Sequence, residues 1–566
     1  MATAVLRCNL YVMNSETQPT DKYDAAKRER DRHVQEILVS SARKKVVVAG
    51  PGTGKTYLFK KVLVDKQSSL TLTFVNALVE DLSLDLYGMS EVRTLHSFAR
   101  SLLARLGKKQ AINIFPKLSG LIRSDLALLA AQDVDFDRVF YSRDDDNEHI
   151  EFYKRRTKYY DDSYGYSDIV FAAVKFLEEH PETIPSYEQI VVDEFQDFNQ
   201  LEVSLIDLLS QRSPILLAGD DDQALYEFKS ASAKHIRDRH DGHDSEYERF
   251  NLPLCSRCTR VVVDAANDVV AAAMKNNLLT GRIAKPYQYF DDEEKDKESL
   301  RFSSISYAQK FAAQIPWFIG SQLAEVAASI KGTFSVLIIS PTKVQSRTVA
   351  KALKRKGFRN VEFVEKDEER DPTLLDGLRV LLKDEKSNLG WRIAADFLMK
   401  RPDFKATLER SNREDAPPFC DLVSSECKKH AKRMLAVLRK VRDDKPIGED
   451  DIGLLEEIGI EPHKMTLDVL SDELNIGNQS VGNPGLRKLS IRATTIQGSK
   501  GLSADVVFIT HFDDLYFLSR PGTSDKDVCS FLVALTRARK KVFLISSQRK
   551  EPLFLKWISG DRISFA

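Results

Sequence analysis

Short apolar runs recur along the chain, and most of them are rich in β-branched residues and end near polar or charged positions. Runs of this length and composition are typical of strands buried on both faces of a parallel sheet. Such runs lie at Val46–Ala49, Leu70–Val75, Gln189–Val192, Ile215–Ala218, Val336–Ser340, Asp505–Thr510 and Val542–Ser546. Helical patterns alternate with them, beginning with Tyr23–Ser41 and Tyr57–Val64. The alternation predicts an α/β protein with doubly wound parallel sheets, and the number of strands predicts two of them.

Two stretches between these strands have mainly helical patterns and divide the chain into lobes and insertions. We predict a first lobe from residues 1–99 and 165–250, with a helical insertion at 100–164. We predict a second lobe from residues 251–364 and 487–566, with a helical insertion at 365–486. The second insertion contains helical patterns at Thr373–Leu382, Trp391–Leu398 and Ser424–Val441. A chain of 566 residues is long enough for this plan, because single cores rarely exceed roughly 250–300 residues.

Two charged runs lie outside the predicted strands. The basic and aromatic run Tyr153–Tyr160 fits phosphate contacts, and it fits a solvated helix face equally well. The acidic run Asp291–Glu298 predicts a solvated loop.

Composition indicates a globular protein without a membrane span. The chain has 42% hydrophobic and 30% charged residues, and 84 basic side chains balance 84 acidic ones. Net charge therefore does not bear on nucleic-acid binding, which needs only a local basic groove. We find no apolar run of about 18 residues and no secretion signal, and the six cysteines show no repeating spacing, so a cytoplasmic location is expected. Cys255 and Cys258 lack further zinc ligands and are predicted to be packing residues.

The segment Gly50–Thr56, with Ala49 before it, is predicted to be a phosphate-binding loop. It reads GPGTGKT, follows a strand and precedes a helix. The backbone of Gly50, Pro51, Gly52, Thr53 and Gly54 forms such a loop, and its N–H groups together with the helix N-terminus cradle the phosphates. Lys55 is predicted to reach the β- and γ-phosphates, and the Thr56 hydroxyl is predicted to bind Mg²⁺. The segment indicates a nucleotide, with ATP and Mg²⁺ as the expected ligands.

Two carboxylates follow the apolar strand that ends at Val192. Paired acids at a strand end are costly unless they bind a metal ion or activate water. We predict that Asp193 holds Mg²⁺ and that Glu194 orients and deprotonates the attacking water.

Several further motifs follow along the chain, and together their order points to one family. Asp193–Asp197 reads DEFQD and resembles the second ATPase motif of the superfamily 1 DNA helicases of the UvrD/Rep type. Further segments resemble other motifs of that family: Leu70–Asn76, Thr94–Phe98, Ser167–Ile169, Gly219–Tyr226, Leu254–Thr259, Thr494–Leu502 and Val533–Arg539. The resemblance implies two RecA-like P-loop NTPase domains, each with a mainly helical insertion.

The resemblance also implies roles for individual residues. Gln223 senses the γ-phosphate, and Arg257 and Arg537 reach the nucleotide from the second lobe as arginine fingers. Arginine fingers stabilise transition-state charge. The residues implied to contact DNA are Phe74, Asn76, His96, Tyr226, Phe228 and Thr495, of which Tyr226 and Phe228 stack on bases.

The sequence departs from the family around the adenine. Ser256 stands where the family has a stacking Tyr, and Ser503 stands where a Glu often binds the ribose. Gln35 is the only candidate near the loop for the Gln that reads the adenine edge. We therefore predict relaxed use of other nucleoside triphosphates.

Two functions of different classes fit these motifs. The first is an ATP-dependent helicase that moves 3′→5′ on single-stranded DNA and acts on tailed duplexes. The second is a DNA-stimulated regulatory ATPase that switches a partner, such as a nuclease or a DNA-end-binding protein, with little unwinding. An unrelated P-loop enzyme such as a kinase leaves Gln223, Arg257 and Arg537 unexplained.

Overall fold

A computed structural model describes residues 19–74, 76–106, 113–242, 246–330, 332–364, 371–443, 445–460, 489–519 and 522–566. The strands in chain order are β1 (Lys44–Ala49), β2 (Ser69–Thr73), β3 (Glu91–Thr94), β4 (Asn113–Ile114), β5 (Ser163–Tyr164), β6 (Gln189–Val192), β7 (Ile215–Gly219), β8 (Glu248–Leu252), β9 (Leu254–Cys255), β10 (Gln288–Tyr289), β11 (Ile305–Gln309), β12 (Val336–Ser340), β13 (Val361–Phe363), β14 (Ile491–Thr495), β15 (Ala504–Thr510), β16 (Ala538–Ser546) and β17 (Ile563–Phe565).

The helices connect these strands. In chain order they are α1 (Pro19–Val39), α2 (Lys55–Leu63), α3 (Asn76–Asp85), α4 (Leu95–Leu106), α5 (Leu118–Ala130), α6 (Phe136–Tyr141), α7 (Ile150–Tyr159), α8 (Tyr166–Glu179), α9 (Gln200–Ser210), α10 (Lys234–His240), α11 (Arg260–Lys275), α12 (Glu293–Arg301), α13 (Ile315–Ser329), α14 (Lys343–Arg355), α15 (Leu374–Lys383), α16 (Asn388–Leu398), α17 (Arg401–Ser411), α18 (Phe419–Leu422), α19 (Ser425–Arg442), α20 (Glu449–Glu457), α21 (Asp514–Phe517), α22 (Asp525–Leu535) and α23 (Leu553–Trp557).

Two parallel sheets form the framework of the molecule, and this confirms the predicted fold class. The first sheet has the strand order β3–β2–β6–β7–β1–β8, and the second has the order β13–β14–β12–β15–β16–β11–β17. Neighbouring strands in both sheets are parallel. Because carboxyl ends of parallel strands share one edge, loops that follow β1, β6 and β7 meet at one side of the first sheet.

Both faces of each sheet are buried, as the continuous apolar runs require. In β1, Val46 and Val48 belong to one core and Val47 and Ala49 to another. Successive side chains of a strand point to opposite faces, so one short run supplies two cores. In β12, alternate residues likewise divide between two cores.

The predicted acidic loop at Asp291–Glu298 was wrong, because most of it is helix α12. The Asp292 side chain accepts a hydrogen bond from the Lys295 backbone N–H at 3.2 Å and caps the helix N-terminus. Acidic residues in the first turn are stabilised by the helix dipole, which favours a helix here over a solvated loop.

The basic and aromatic run Tyr153–Tyr160 is divided between a buried face and an exposed face of helix α7. Lys154, Arg155 and Lys158 are exposed, whereas Arg156 is 1% exposed. Arg156 Nε donates to Asp125 Oδ2 at 3.2 Å, and Arg392 Nε of helix α16 donates to Asp125 Oδ1 at 2.8 Å. One buried carboxylate therefore joins helices α5, α7 and α16, which link the helical segments of the two lobes.

Replacing Asp125 with asparagine is expected to loosen this junction. The change removes the negative charge that two buried arginines share while it preserves side-chain volume. We expect the free energy of unfolding, measured by urea denaturation, to fall by about 1.5–3 kcal/mol, the range for hydrogen bonds to charged groups. Asp133→Asn, in an exposed pair with Arg123, is the control and should leave the midpoint unchanged. A wild-type midpoint for Asp125→Asn would contradict this account.

Candidate active site between the two lobes

The loop Gly50–Thr56 connects β1 to α2 and has the backbone shape of a phosphate cradle. Gly52 and Gly54 have φ angles of +73° and +96°, which side chains with a Cβ rarely adopt. The Thr53 N–H and Oγ1–H both donate to the Gly50 carbonyl oxygen, at 3.3 and 2.9 Å. The loop leads into the N-terminus of α2 at Lys55, where free backbone N–H groups attract phosphate.

The predicted lysine and carboxylates come together at the shared edge of the sheet. Lys55 Nζ lies 2.9 Å from Glu194 Oε1 and 3.8 Å from Asp193 Oδ1. Asp193 and Glu194 are 6% and 8% exposed, and Glu194 has a left-handed φ of +55°. Holding a residue other than glycine in this conformation costs free energy, and residues held in this way are typical of functional sites.

Burial and neighbouring charges act on these ionisable groups in opposite directions. Burial raises the pKa of Asp193, and Lys55 only partly offsets the effect. Burial alone would raise the pKa of Glu194, but Lys55 and Lys500 lower it below its ordinary value. Glu194 is therefore ionised at neutral pH, as a group that accepts a proton from water must be.

A path of hydrogen bonds runs from Glu194 to the second lobe. Gln196 Nε2 donates to Glu194 Oε2 at 2.6 Å, and Gln196 Oε1 accepts from the Asp220 N–H at 3.0 Å. Gln223 Nε2 donates to Asp220 Oδ2 at 2.7 Å. Arg537 Nη2, from the second lobe, donates to Gln223 Oε1 at 2.8 Å. The predicted γ-phosphate sensor and one predicted arginine finger are thus in direct contact.

Lys500 also enters the site from the second lobe, and the sequence reasoning assigned it no role. Its side chain is 1% exposed and forms an ion pair with Asp197. Its Nζ donates to the Gln223 carbonyl oxygen at 2.6 Å and lies 3.7 Å from Glu194 Oε2. Lys500 lies in the segment Thr494–Leu502, whose resemblance to a family motif was the signal that could have singled it out.

Arg257 lies against the phosphate-binding loop. A Cβ placed on Gly52 would come 2.3 Å from Arg257 Cβ, so only glycine allows this approach. Burial, together with the nearby Arg257, lowers the pKa of Arg537 to about 10. Each of these two guanidinium groups makes the positive charge of the other less favourable. An anion bound in the phosphate cradle beside them would stabilise both charges.

The residue types at the cradle fit a magnesium ion. Thr56 follows Lys55 at the start of α2, and Asp193 lies near the Lys55 ammonium. A hydroxyl and a carboxylate oxygen are among the hard ligands that Mg²⁺ prefers. Thr56 and Asp193 would hold the ion, which would supply positive charge to offset that of the phosphates.

The adjacent acidic run Asp220–Asp222 is instead held by basic side chains. Among the described residues it is the one group of three or more His, Cys, Asp or Glu side chains close enough to share a metal ion. Lys285 Nζ lies 2.7 Å from Asp220 and 2.9 Å from Asp222, and it also pairs with Asp221. Arg282 pairs with Asp222 at 2.8 Å. The cluster joins the loop after β7 to residues 282–285 of the second lobe.

Two of the predicted DNA-contacting residues, Phe74 and Tyr226, meet at the junction of the two lobes. The Phe74 and Tyr226 rings are 4.7 Å apart, and the Tyr226 hydroxyl donates to the Gln497 carbonyl oxygen at 3.4 Å. Tyr226 is 5% exposed, so in this structure its ring faces Phe74 instead of solvent. Thr495 ends β14 and accepts a hydrogen bond from the Gly498 N–H at 3.1 Å.

His96 lies at the start of helix α4, with its ring 5.2 Å from that of Tyr166. Burial, with a smaller effect of Lys229, lowers the pKa of His96 to about 4, so the ring is neutral at physiological pH. The predicted contacts Asn76 and Phe228 have side chains that lie outside the described residues.

The structure also places the residues at which the sequence departs from the family. The Ser256 N–H donates to the Gly52 carbonyl oxygen at 3.0 Å, so this serine contacts the loop. Ser503 accepts a hydrogen bond from Arg539 Nη2 at 2.9 Å. Cys255 and Cys258 are buried in the core of the second lobe. Gln35 is exposed on helix α1.

This arrangement places a P-loop and its paired carboxylates in one site that two parallel-sheet lobes share. The family model of the UvrD/REP helicase N-terminal domain matches residues 140–243, which include the paired carboxylates and Gln223. The predicted resemblance to UvrD/Rep-type helicases is thereby confirmed.

Several known proteins match parts of the chain. It is 24% identical to the ATP-dependent DNA helicase PcrA of Bacillus subtilis over 205 residues, which are 35% of this chain and 25% of that protein. It is 22% identical to the ATP-dependent DNA helicase srs2 of Schizosaccharomyces pombe over 336 residues, 46% of this chain and 38% of that protein. It is 27% identical to the exonuclease/helicase protein RexA of Lactococcus lactis over 138 residues, 23% of this chain and 12% of that protein. The matched region thus spans 12–38% of the length of these relatives.

Within the part of the chain that the structure describes, no helix is both long and apolar enough to cross a membrane.

Proposed function

We propose that the protein is a DNA motor that hydrolyses ATP between its lobes, moves 3′→5′ along single-stranded DNA and unwinds tailed duplexes. The observation that carries the proposal is the hydrogen-bond path from Lys55 and Glu194 through Gln223 to Arg537. A site completed by side chains of both lobes is competent only when the lobes are closed. Hydrolysis that requires closure, and product release that permits opening, can drive directed movement.

Each side chain has a defined part in the proposed reaction. The loop Gly50–Thr56 holds the phosphates, and Lys55 moves from the carboxylates to the γ-phosphate. Glu194 orients the attacking water and accepts its proton. Arg257 and Arg537 stabilise the charge that develops on the transferred phosphoryl group.

The same path supports coupling to DNA. Tyr226 follows Gln223 by three residues and touches both Phe74 of the first lobe and Gln497 of the second. A shift of Gln223 on hydrolysis would therefore alter the lobe junction where Phe74, His96 and Thr495 are proposed to contact DNA. Aromatic side chains suit this task because stacking on bases tolerates any sequence. The 3′→5′ direction rests on the family resemblance alone.

A nuclease partner is part of the proposal. The name of the Lactococcus lactis relative RexA joins exonuclease and helicase, and other relatives, from Streptococcus thermophilus, are named for an ATP-dependent helicase/nuclease. These names support association of the motor with nuclease activity.

The decisive experiment measures ATP hydrolysis with and without single-stranded DNA, followed by strand displacement on 3′-tailed and 5′-tailed duplexes. DNA-stimulated hydrolysis with displacement from the 3′ tail alone is the expected result. Displacement from the 5′ tail would overturn the direction. Stimulated hydrolysis without displacement would favour the regulatory ATPase, and hydrolysis indifferent to DNA would overturn both.

A further inference from the structure

Helix α1 crosses from one lobe to the other beside the phosphate-binding loop. Its C-terminal half packs on the first lobe through Val34 and Ile37, and Lys45 Nζ donates to the Ile37 carbonyl oxygen at 2.8 Å. At its N-terminal end, Lys22 pairs with Asp291 at 2.8 Å and Asp296 at 2.9 Å, next to and within helix α12 of the second lobe. The helix therefore spans one end of the cleft that holds the nucleotide site.

Arg30, in the middle of this helix, lies over two aromatic rings from the two lobes. Its guanidinium carbon is 4.7 Å from the ring centre of Phe290 and 5.3 Å from that of Tyr57. Tyr57 comes two residues after Lys55, so this aromatic pair adjoins the phosphate cradle. The Arg30 Nε is buried and has no hydrogen-bond partner, and the carboxylate of the adjacent Asp31 is 3.8 Å away from it.

A buried donor without an acceptor costs about 1–3 kcal/mol. A bound ligand that offers an acceptor to the Arg30 guanidinium would remove this cost. Aromatic rings and a guanidinium group next to a triphosphate cradle are the kinds of group on which a nucleobase stacks. Ser256, at the position of the family's stacking tyrosine, donates its backbone N–H to the Gly52 carbonyl oxygen. The Ser503 hydroxyl accepts a hydrogen bond from Arg539.

We propose that Arg30, Tyr57 and Phe290 form the nucleobase subsite of this enzyme and that the subsite accepts guanine at least as well as adenine. The base stacks on Tyr57, and Arg30, held over Phe290, donates hydrogen bonds to the base edge. Guanine presents two acceptors, N7 and O6, to the fork of an arginine, whereas adenine presents N7 beside an amino donor. The inference rests on the proposed function and names the residues that select its nucleotide.

The experiment compares GTP, ATP and a base-free probe, inorganic tripolyphosphate, on the full-length protein. Nucleotide affinity is measured by equilibrium dialysis, and KM is measured in the hydrolysis assay. The wild-type protein is expected to bind GTP as tightly as ATP or more tightly. Arg30→Ala should weaken GTP binding and raise its KM roughly tenfold or more, with a smaller effect on ATP.

Two variants sharpen the comparison. Tyr57→Ala should weaken both nucleotides roughly tenfold, because stacking does not discriminate between purines. Arg32→Ala removes a solvent-exposed pair with Glu36 on the same helix and is expected to change neither affinity. Inhibition by tripolyphosphate should be equal in all variants, because the probe has no base.

The outcomes separate this inference from the proposed function. Strict use of ATP, or equal nucleotide affinities in wild-type protein and Arg30→Ala, would overturn the subsite even if DNA-stimulated hydrolysis is present. In that case Arg30 only joins the lobes. A protein that binds nucleotides as expected but ignores DNA would retain the subsite and lose the motor function.

Discussion

Replacing Arg537 with alanine is expected to lower kcat for DNA-stimulated ATP hydrolysis by roughly 10³–10⁵, the range found for arginine fingers. Arg537 is 3% exposed and bound to Gln223, so its charge acts in a site with little water to screen it. The loss should fall on kcat, because the loop Gly50–Thr56 holds the phosphates in the ground state. Single-turnover hydrolysis and dialysis with ATP measure the two quantities separately.

The matched control is Arg539→Ala. Arg539 lies two residues further along the same segment, is exposed and contacts Ser503. Its loss should change kcat little. Equal effects of the two substitutions would contradict the assignment of Arg537, as would an Arg537→Ala protein with wild-type kcat and weakened ATP binding.

The fold could be predicted where strands are buried on both faces. The runs at Gln189–Val192 and Val336–Ser340 form strands with the predicted bounds. Asp505–Thr510 begins one residue earlier than predicted, at Ala504. These strands lie inside their sheets, where both alternate sets of side chains must be apolar. Of the predicted run Leu70–Val75, the structure gives a strand over Ser69–Thr73, and Val75 lies outside the described residues.

Strands at the sheet edges escaped prediction, and so did two inner strands, Ile305–Gln309 and Ile491–Thr495. Glu91–Thr94 and Glu248–Leu252 end the first sheet, and Ile563–Phe565 ends the second. Edge strands expose one row of side chains or backbone groups, so their sequences carry polar residues and lack a continuous apolar run. Pairing with a neighbouring strand, which the local sequence does not show, decides their structure.

The chemistry of the site was more accessible to sequence reasoning than its connections. Lys55, Asp193, Glu194 and Gln223 follow strands and therefore meet at one sheet edge. The contact of Lys500 with Asp197, and that of Arg30 with Tyr57 and Phe290, join residues far apart in the chain. Such contacts depend on how the two lobes face each other. Neither the hydrophobic periodicity nor the spacing of the motifs shows that arrangement.

Replacing Glu194 with glutamine is expected to lower the rate of ATP hydrolysis by roughly 10²–10⁴, the usual contribution of a general base. The amide has almost the same shape but cannot accept the proton of the attacking water. It also removes the partner of Lys55, whose raised pKa reflects Glu194 and Asp193 acting against the cost of burial. Lys55 is then freer to pair with the γ-phosphate, so ATP binding should be retained or tightened. Single-turnover hydrolysis and ATP dialysis test both statements.

Glu188→Gln is the matched control, because Glu188 is exposed just before the opposite end of the same strand, β6. Its hydrolysis rate should equal that of the wild-type protein. A Glu194→Gln protein that binds ATP and single-stranded DNA but fails to displace a strand would link movement to hydrolysis. Displacement at the wild-type rate would show instead that another group accepts the proton, and Asp193, which shares the Lys55 ammonium, would be the residue to replace next.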